Sequence, residues 1–281
     1  MTKLNHKNFS VALLATFASL TFAVAQVAPQ QGSAQRIAFT PPKIAQPLPF
    51  KAGEVLVYEI NFSKLIFSGT IGELKLTVAV PADSSKPEMI ELRAEAVSRG
   101  FFPALFGLRV KDRYTSLVDP IDFGVSKSIK LLEEGKSRRD QTAIVDRANG
   151  RINFTDRDLA NPKNAPRIKE KPSPVWVQDL LSTIYFVRTQ PLNEGDVVLI
   201  PISDGGEVYN IEVIAGKRLE VKTGVGKFKT IELNAKVFDG RYIRRSGEML
   251  VYITDDANRI PVRARVKTSG ATVTVDLKRV P

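Results

Sequence analysis

The 281-residue sequence contains no cysteine and a single histidine, His6. Without cysteine, disulfides cannot hold the fold, so its stability must come from packing and strand pairing. His6 falls within residues 1–25, which we predict to be removed, and the remaining chain then has neither imidazole nor thiol. Ser-His-Asp and Cys-His nucleophile systems are therefore excluded, and zinc rarely accepts the all-oxygen ligands that remain. We predict no catalytic residues, no metal site and no cofactor.

Long apolar runs are scarce after the first residues. Residues 1–25 carry basic residues, then an uncharged apolar run, then the small residues Ala23-Val24-Ala25. This order is typical of a signal peptide with its cleavage site, and the apolar run is too short and too rich in Ser, Thr and Ala for a membrane anchor. Because no cysteine follows the cleavage point, a lipoprotein anchor is excluded. We expect a soluble periplasmic protein without a transmembrane segment after cleavage, or alternatively a secreted one.

Acidic residues are outnumbered, with 30 Asp and Glu against 41 Lys and Arg and a net charge of +11. Removing Lys3 and Lys7 with the signal leaves 39 basic residues and a net charge of +9. Such a surface attracts anionic envelope material, although a basic surface that only aids solubility is an equal alternative. Nucleic acid is an unsuitable partner for an exported chain with few aromatics among its basic clusters. The candidate basic surface comprises Arg241, Arg244, Arg245, Arg263 and Arg265.

Most of the remaining chain alternates apolar and polar residues with a period of two. Residues 26–48 are rich in Gln, Pro and Ala and are predicted to form a flexible leader, so residues 49–281 form one domain. Residues 55–62, 69–80 and 260–267 show the alternation of strands, and Asn149-Gly150 indicates a hairpin. About a dozen strands occur without alternating helices. The sequence therefore predicts a mainly β fold, a curved antiparallel sheet or half-open β-barrel around one long helix.

That helix is predicted over residues 174–188, the one stretch where a period of 3.6 dominates. Ser173 can cap its start, Pro174 suits the first turn, and Pro191 prevents continuation. Trp176, Leu180 and Ile184 share about half the circumference with other apolar residues, so one helix face is expected to be buried.

Two segments break the strand pattern. Residues 99–108 place three phenylalanines and two leucines between glycines, which favours a loop or helical turn plugging the end of the core, or else an apolar lip that touches a lipid-like ligand. Residues 156–174 form a long basic connection, which we interpret as a surface crossover, with a mobile lid as the lesser alternative. The candidate ligand-binding residues are Phe101, Phe102, Leu105, Phe106, Trp176 and Phe186.

Motifs of known chemistry are incomplete. Gly224-Val225-Gly226-Lys227 lacks the Ser or Thr and the upstream Gly of a phosphate-binding loop, so it is predicted to be a turn. Acidic pairs that could act as acid and base in a hydrolase lie beside turn residues, where carboxylates are common. These pairs are Glu133-Glu134, Asp156 with Asp158, and Asp255-Asp256.

Three stretches together resemble the exported bacterial family known as domain of unknown function 3108. They are the opening Phe50-Lys51-Ala52-Gly53-Glu54-Val55-Leu56-Val57-Tyr58, the segment from Asp179 to Asp196, and Asp256-Ala257-Asn258-Arg259-Ile260-Pro261-Val262 before a final hairpin. The resemblance covers about residues 49–280. It implies the fold and the compartment, and it transfers no catalytic residue. A looser architectural similarity, to half-barrels like the periplasmic lipoprotein carriers, does not imply a function.

We therefore consider three functional hypotheses. The first is a non-enzymatic periplasmic protein that binds or carries an apolar or lipid-like envelope ligand, with a lipid, a lipoprotein or an anionic envelope polymer as partner. The second is an envelope scaffold or protein-interaction module that uses the basic surface. The third is a hydrolase that uses carboxylates alone, for which two buried acids with shifted pKa values must share a cleft. The sequence does not determine the oligomeric state.

Overall fold

The computed structural model describes residues 44, 46–65, 67–81, 88–107 and 109–279, except the side chains of Phe102, Leu105 and Phe106. The predicted signal peptide and most of the predicted leader lie outside these residues. Ile44 and Leu48, from the end of the leader, already pack against the hydrophobic core. Packing therefore begins a few residues before the predicted domain start at residue 49.

The described residues form fourteen strands and two short helices. The helices are α1 (Phe101–Phe106) and α2 (Leu180–Phe186), and α2 continues as a 3-10 turn, Val187–Thr189. The strands are β1 (Val55–Lys64), β2 (Phe67–Ala79), β3 (Ile90–Ser98), β4 (Lys111–Val118), β5 (Val125–Glu134), β6 (Ser137–Asp146), β7 (Arg151–Asp158), β8 (Arg167–Pro172), β9 (Val197–Asp204), β10 (Glu207–Thr223), β11 (Gly226–Ala235), β12 (Gly247–Thr254), β13 (Pro261–Thr268) and β14 (Ala271–Arg279).

All fourteen strands belong to one antiparallel sheet, which confirms the predicted fold class. Apart from β8 and β9, strands that are consecutive in sequence pair with each other, and β1 also pairs with β14. The order is therefore β8-β7-β6-β5-β4-β3-β2-β1-β14-β13-β12-β11-β10-β9. Tyr58 of β1 lies opposite Leu74 of β2 on one side and Leu277 of β14 on the other. The strand sequence is interrupted only between β8 and β9, which are the two edges. The sheet is therefore half open, and the chain crosses this opening through α2.

The helix in this opening is shorter than predicted, and its start at residue 174 is wrong. The N-cap is Asp179, whose Oδ1 accepts a hydrogen bond from the Ser182 backbone N–H at 2.7 Å, while the Asp179 N–H donates to Ser182 Oγ at 2.9 Å. Residues before Asp179 are extended because their backbone groups are hydrogen-bonded to the sheet. The Val177 carbonyl accepts from the Val125 N–H at 3.0 Å, and the Gln178 N–H donates to the Pro201 carbonyl at 2.8 Å.

The segment 173–178, which follows the edge strand β8, thus bonds the start of β5 at Val125 and the other edge strand, β9, at Pro201. Trp176 is fully buried here, and its indole N–H donates to the Asp122 carbonyl at 2.8 Å. Consecutive residues of this segment are buried, which explains why its apolar pattern resembles that of a helix turn.

The predicted basic crossover contains a strand. β8 pairs with β7, and Arg167 bonds Asp156 at 2.6 Å across this pair. Lys169 donates to the Gly205 carbonyl and to Glu207, both at 3.1 Å, beside the β9–β10 turn. These contacts join the two ends of the sheet through charged side chains and favour the crossover interpretation over the lid.

One end of the interior is closed by aromatic rings. Phe50 packs edge-on against Tyr185 (centroids 5.0 Å apart) and Phe123 (5.8 Å), and Trp176 packs edge-on against Phe186 (5.0 Å). Edge-to-face pairs of this kind are the favoured geometry of packed aromatic rings. The interior at this end is filled.

Candidate functional site

A cavity of about 140 Å³ lies between α2 and the C-terminal half of the sheet. The helix contributes Leu180, Thr183 and Ile184, and the 3-10 turn that continues it contributes Val187. Their spacing of three and four residues places them on one face. The opposite wall comes mainly from β9 to β13. Its members include Ile202, Ile211, Val213, Leu233, Val251 and Ile253.

Strand register explains why these side chains meet. Val213 of β10 lies opposite Ala235 of β11, and Leu233 lies opposite Val251 of β12. Val251 in turn lies opposite Ala264 of β13. Residues directly opposite one another in an antiparallel pair point to the same face of the sheet. The small side chains of Ala235 and Ala264 leave space that a larger apolar residue would fill.

The polar residues that line the cavity are engaged elsewhere in the protein. The Tyr58 hydroxyl donates to the Pro261 carbonyl at 2.9 Å, and burial raises the pKa of Tyr58 well above its usual value, so the phenol stays neutral. Thr183 Oγ1 donates to the Asp179 carbonyl at 2.6 Å. Arg263 pairs with Asp276, with Nε–Oδ1 at 2.5 Å. The cavity therefore presents hydrocarbon and no uncompensated charge, which suits an apolar occupant.

The size of the cavity sets the size of that occupant. A dry, apolar cavity of about 150 Å³ in another protein holds a benzene molecule. Several lining residues, including Ile184, Ala235, Met249 and Val251, are only half buried, so the cavity reaches towards solvent on their side. A compact apolar group or the end of an acyl chain fits inside, and the rest of a longer chain can extend outward.

The predicted ligand-binding residues are placed differently. Trp176 and Phe186 are fully buried in the aromatic cluster and do not line this cavity. Phe101 is 71% exposed at the start of α1, a short helix that agrees with the predicted helical turn rather than with a loop. The side chains of Phe102, Leu105 and Phe106 lie outside the described residues, so the ligand-binding role of this segment stays a prediction. Small residues on β11 and β13 shape the cavity, and only a pairing register could have identified them.

The candidate basic residues fall into two groups. Arg241, Arg244 and Arg245 are exposed together on the loop 236–246, which joins β11 to β12. Arg263 and Arg265 lie on β13, where Arg263 pairs with Asp276 and Arg265 donates to the Tyr252 hydroxyl at 3.1 Å. In the first group Arg241 pairs with Asp239, whereas Arg244 and Arg245 form no ion pair with another described residue. Both arginines of the second group are engaged in side-chain pairs.

A buried acid, Asp112, and a half-buried one, Glu134, meet part of the requirement set for a hydrolase. Burial raises the pKa of Asp112 to about 6 and that of Glu134 to about 7, and the proximity of Asp112 further raises the pKa of Glu134. Asp112 Oδ1 accepts from the Glu133 backbone N–H at 3.0 Å. Neither acid lines the cavity, so the acid pair and the apolar cavity are separate features.

The other acidic pairs have structural partners. Asp156 bonds Arg139 and Arg167, and these hydrogen bonds outweigh burial and lower its pKa. Asp256 Oδ1 accepts from the Thr254 hydroxyl and from the backbone N–H groups of Asn258 and Arg259, which builds a turn. Across the described ranges, no group of three or more acidic or imidazole side chains could hold a metal ion.

Comparison with known proteins identifies relatives in sequence and in fold. The family described as "Protein of unknown function (DUF3108)" matches residues 57–278. No curated protein matches the chain. A solved β-barrel-like protein of domain of unknown function DUF1849 from Brucella abortus is 11% identical, with a TM-score of 0.52 over 81% of this chain and 96% of that one.

A candidate exported protein with a YmcC-like fold from Bacteroides fragilis is 12% identical, with a TM-score of 0.30 over 85% of this chain and 99% of that one. At these identities the Brucella structure supports the fold alone. Among the helices of the described residues, none has the length and hydropathy to cross a bilayer.

Proposed function

The chain belongs to the DUF3108 family, whose function is unknown, and from this premise we propose that it is a non-enzymatic periplasmic protein that binds or carries an apolar or lipid-like envelope ligand. The observation that carries the proposal is the apolar cavity between α2 and β9–β13, with its polar lining residues bonded to the protein. Binding of hydrocarbon in such a cavity is favourable by about 25 cal/mol for each Å² of apolar surface removed from water.

Two features of the surroundings support a binding role. The aromatic cluster of Phe50, Phe123, Trp176, Tyr185 and Phe186 is buried and lines none of the cavity, so packed rings support the helix that forms one wall. The helix that forms one wall is fixed at its start by the Asp179–Ser182 capping box and at its end by Arg188. A rigid wall opposite a curved sheet keeps the cavity formed without a ligand, which lowers the cost of binding.

The test is a cavity-filling substitution. Ala264→Phe places a ring in the cavity. The matched control is Thr274→Phe on the neighbouring β14, because Thr274 pairs with Arg265 and neither residue lines the cavity. Both variants and the unaltered protein are titrated with a fluorescent fatty acid. We expect saturable binding to the unaltered protein and to the control, and at least tenfold weaker binding to Ala264→Phe. No saturable binding to any of the three proteins, together with ligand-free intact mass after purification without detergent, would contradict the proposal.

A further inference from the structure

The loop 236–246 combines an apolar inner side with a basic outer side at the cavity. Val237 of this loop lines the cavity, as do Ala235 before it and Met249 after it. Phe238, Tyr242 and Ile243 pack against the core, while Arg241, Arg244 and Arg245 are exposed. The same loop therefore forms part of the apolar wall through Val237 and carries three exposed cations within the next eight residues.

Hydrogen bonds hold the loop in one shape. Asp239 Oδ1 accepts from the backbone N–H groups of Arg241 and Tyr242 at 2.9 and 3.0 Å, and the Ile243 N–H donates to the Val237 carbonyl at 3.0 Å. The Tyr242 hydroxyl donates to Asp204 at 3.1 Å and fixes the loop to the β9–β10 turn.

Close packing of Phe238 against Gly247, at the end of the loop, further fixes the loop conformation. A Cβ at Gly247 would lie 2.8 Å from the Lys267 carbonyl oxygen and 2.8 Å from the Phe238 ring, so only glycine lets Phe238 pack down on β12. The arginines therefore extend from a fixed base.

The charges on the loop are largely uncompensated. Arg241 pairs with Asp239 at 2.7 Å, the single acidic residue of the loop. Neither Arg244 nor Arg245 forms an ion pair with another described residue. With Lys236, the loop carries four basic residues against one acidic residue, a local charge of +3.

We propose that the ligand of the cavity is an anionic single-chain amphiphile, whose chain lies between α2 and β10–β13 and whose carboxylate or phosphate is bound by the arginines of the loop 236–246. This inference rests on the proposed function, because it assigns the headgroup of the molecule whose chain occupies the cavity. Guanidinium groups match the planar geometry of carboxylate and phosphate with paired N–H donors. A neutral amphiphile of equal chain length would use the cavity and gain nothing from the loop.

The test compares matched ligands on the full-length mature protein. Lauric acid is measured against lauryl alcohol, and lysophosphatidic acid against lysophosphatidylcholine of the same chain length, by competition with a fluorescent probe at about pH 8, where both acids are ionised. We expect each acidic ligand to bind roughly tenfold more tightly than its partner, a preference that shrinks at high salt, since partly exposed ion pairs contribute modestly and are screened. The relative preference in the two pairs distinguishes carboxylate from phosphate.

The variant for this test is R241Q/R244Q/R245Q, and its control is R113Q/R138Q/R157Q, which removes the same charge from exposed arginines of β4, β6 and β7. We expect the loop variant to lose the acid preference while keeping its affinity for the alcohol, and the control to keep both. Equal binding of acid and alcohol to the unaltered protein, or a preference that survives in the loop variant, would overturn the inference and leave the proposed function standing. If no ligand binds saturably, the proposed function itself fails.

Discussion

Replacing Glu54 with Gln should be among the most destabilising conservative changes in the protein, because it leaves a buried cation unpaired. The Arg188 side chain is 0% exposed and the Glu54 side chain 9%. Their contact is bidentate, with Nη1–Oε1 at 2.6 Å and Nη2–Oε2 at 2.9 Å. The guanidinium also donates to the Pro49 and Asn258 carbonyls at 3.1 and 3.0 Å.

The magnitude follows from this burial. Removing one partner of a buried ion pair costs about 3–5 kcal/mol, because the remaining charge stays desolvated without its counterion. The carbonyls of Pro49 and Asn258 still accept hydrogen bonds from Arg188, and the guanidinium lies 4.9 Å from the Phe50 ring centroid. Because these contacts stabilise the remaining charge, we expect a loss of stability near the lower end of this range, about 3 kcal/mol. Replacing both residues with apolar ones of similar volume, Glu54→Leu with Arg188→Met, should restore much of the loss, because no charge then remains buried.

The assay is urea unfolding monitored by the fluorescence of Trp176, the single tryptophan, which is fully buried near this site. The control is Glu59→Gln, since the Glu59 side chain is 38% exposed and its ion pair with Lys278 is long, at 3.9 Å. This substitution should lower the free energy of unfolding by less than about 0.5 kcal/mol. If Glu54→Gln costs no more than this control, water reaches the pair and the reasoning from burial is wrong.

Two further predictions concern buried acids. The pKa values of Asp112 and Glu134, about 6 and about 7, lie above their unfolded values, so the stability they contribute is present below about pH 4 and is lost as pH rises through 6–7. The urea midpoint should therefore fall as the pH rises from about 4 to about 7, and it should fall less in Asp112→Asn. An identical pH profile in that variant would refute the assignment. Asp179→Ala removes the α2 cap and the acceptor of the Ser116 hydroxyl (2.6 Å). In the same assay it should lower the free energy of unfolding by at least about 2 kcal/mol. The control, Asp255→Ala at an exposed residue, should lower it by less than about 0.5 kcal/mol.

Alternation along the chain was sufficient to predict the meandering sheet, because most strands have one buried face. Leu74, Leu76 and Val78 of β2 alternate with polar residues and are all buried. The Asn149-Gly150 hairpin is confirmed as the β6–β7 connection, although positive φ occurs only at Gly150, so the turn is wider than predicted. Local patterns of this kind depend only on neighbouring residues.

The missed features depend on contacts between distant parts of the chain. β8 has no alternation because it is an edge strand exposed on both faces, so its sequence resembles a loop. The start of α2 was misplaced because Val177 and Gln178 bond strands 52 and 23 residues away, at Val125 and Pro201. The cavity is shaped by alanines that come together only through pairing of β11, β12 and β13.

The central claim is that hydrocarbon occupies the cavity between α2 and the C-terminal strands. The most direct measurement is photolabelling with a diazirine-bearing fatty acid, followed by peptide mapping by mass spectrometry. We predict labels on cavity residues such as Ile184, Met249 and Val251, and their loss in Ala264→Phe. Labels confined to exposed apolar residues outside the cavity, such as Phe101 or Ile121, would contradict the account.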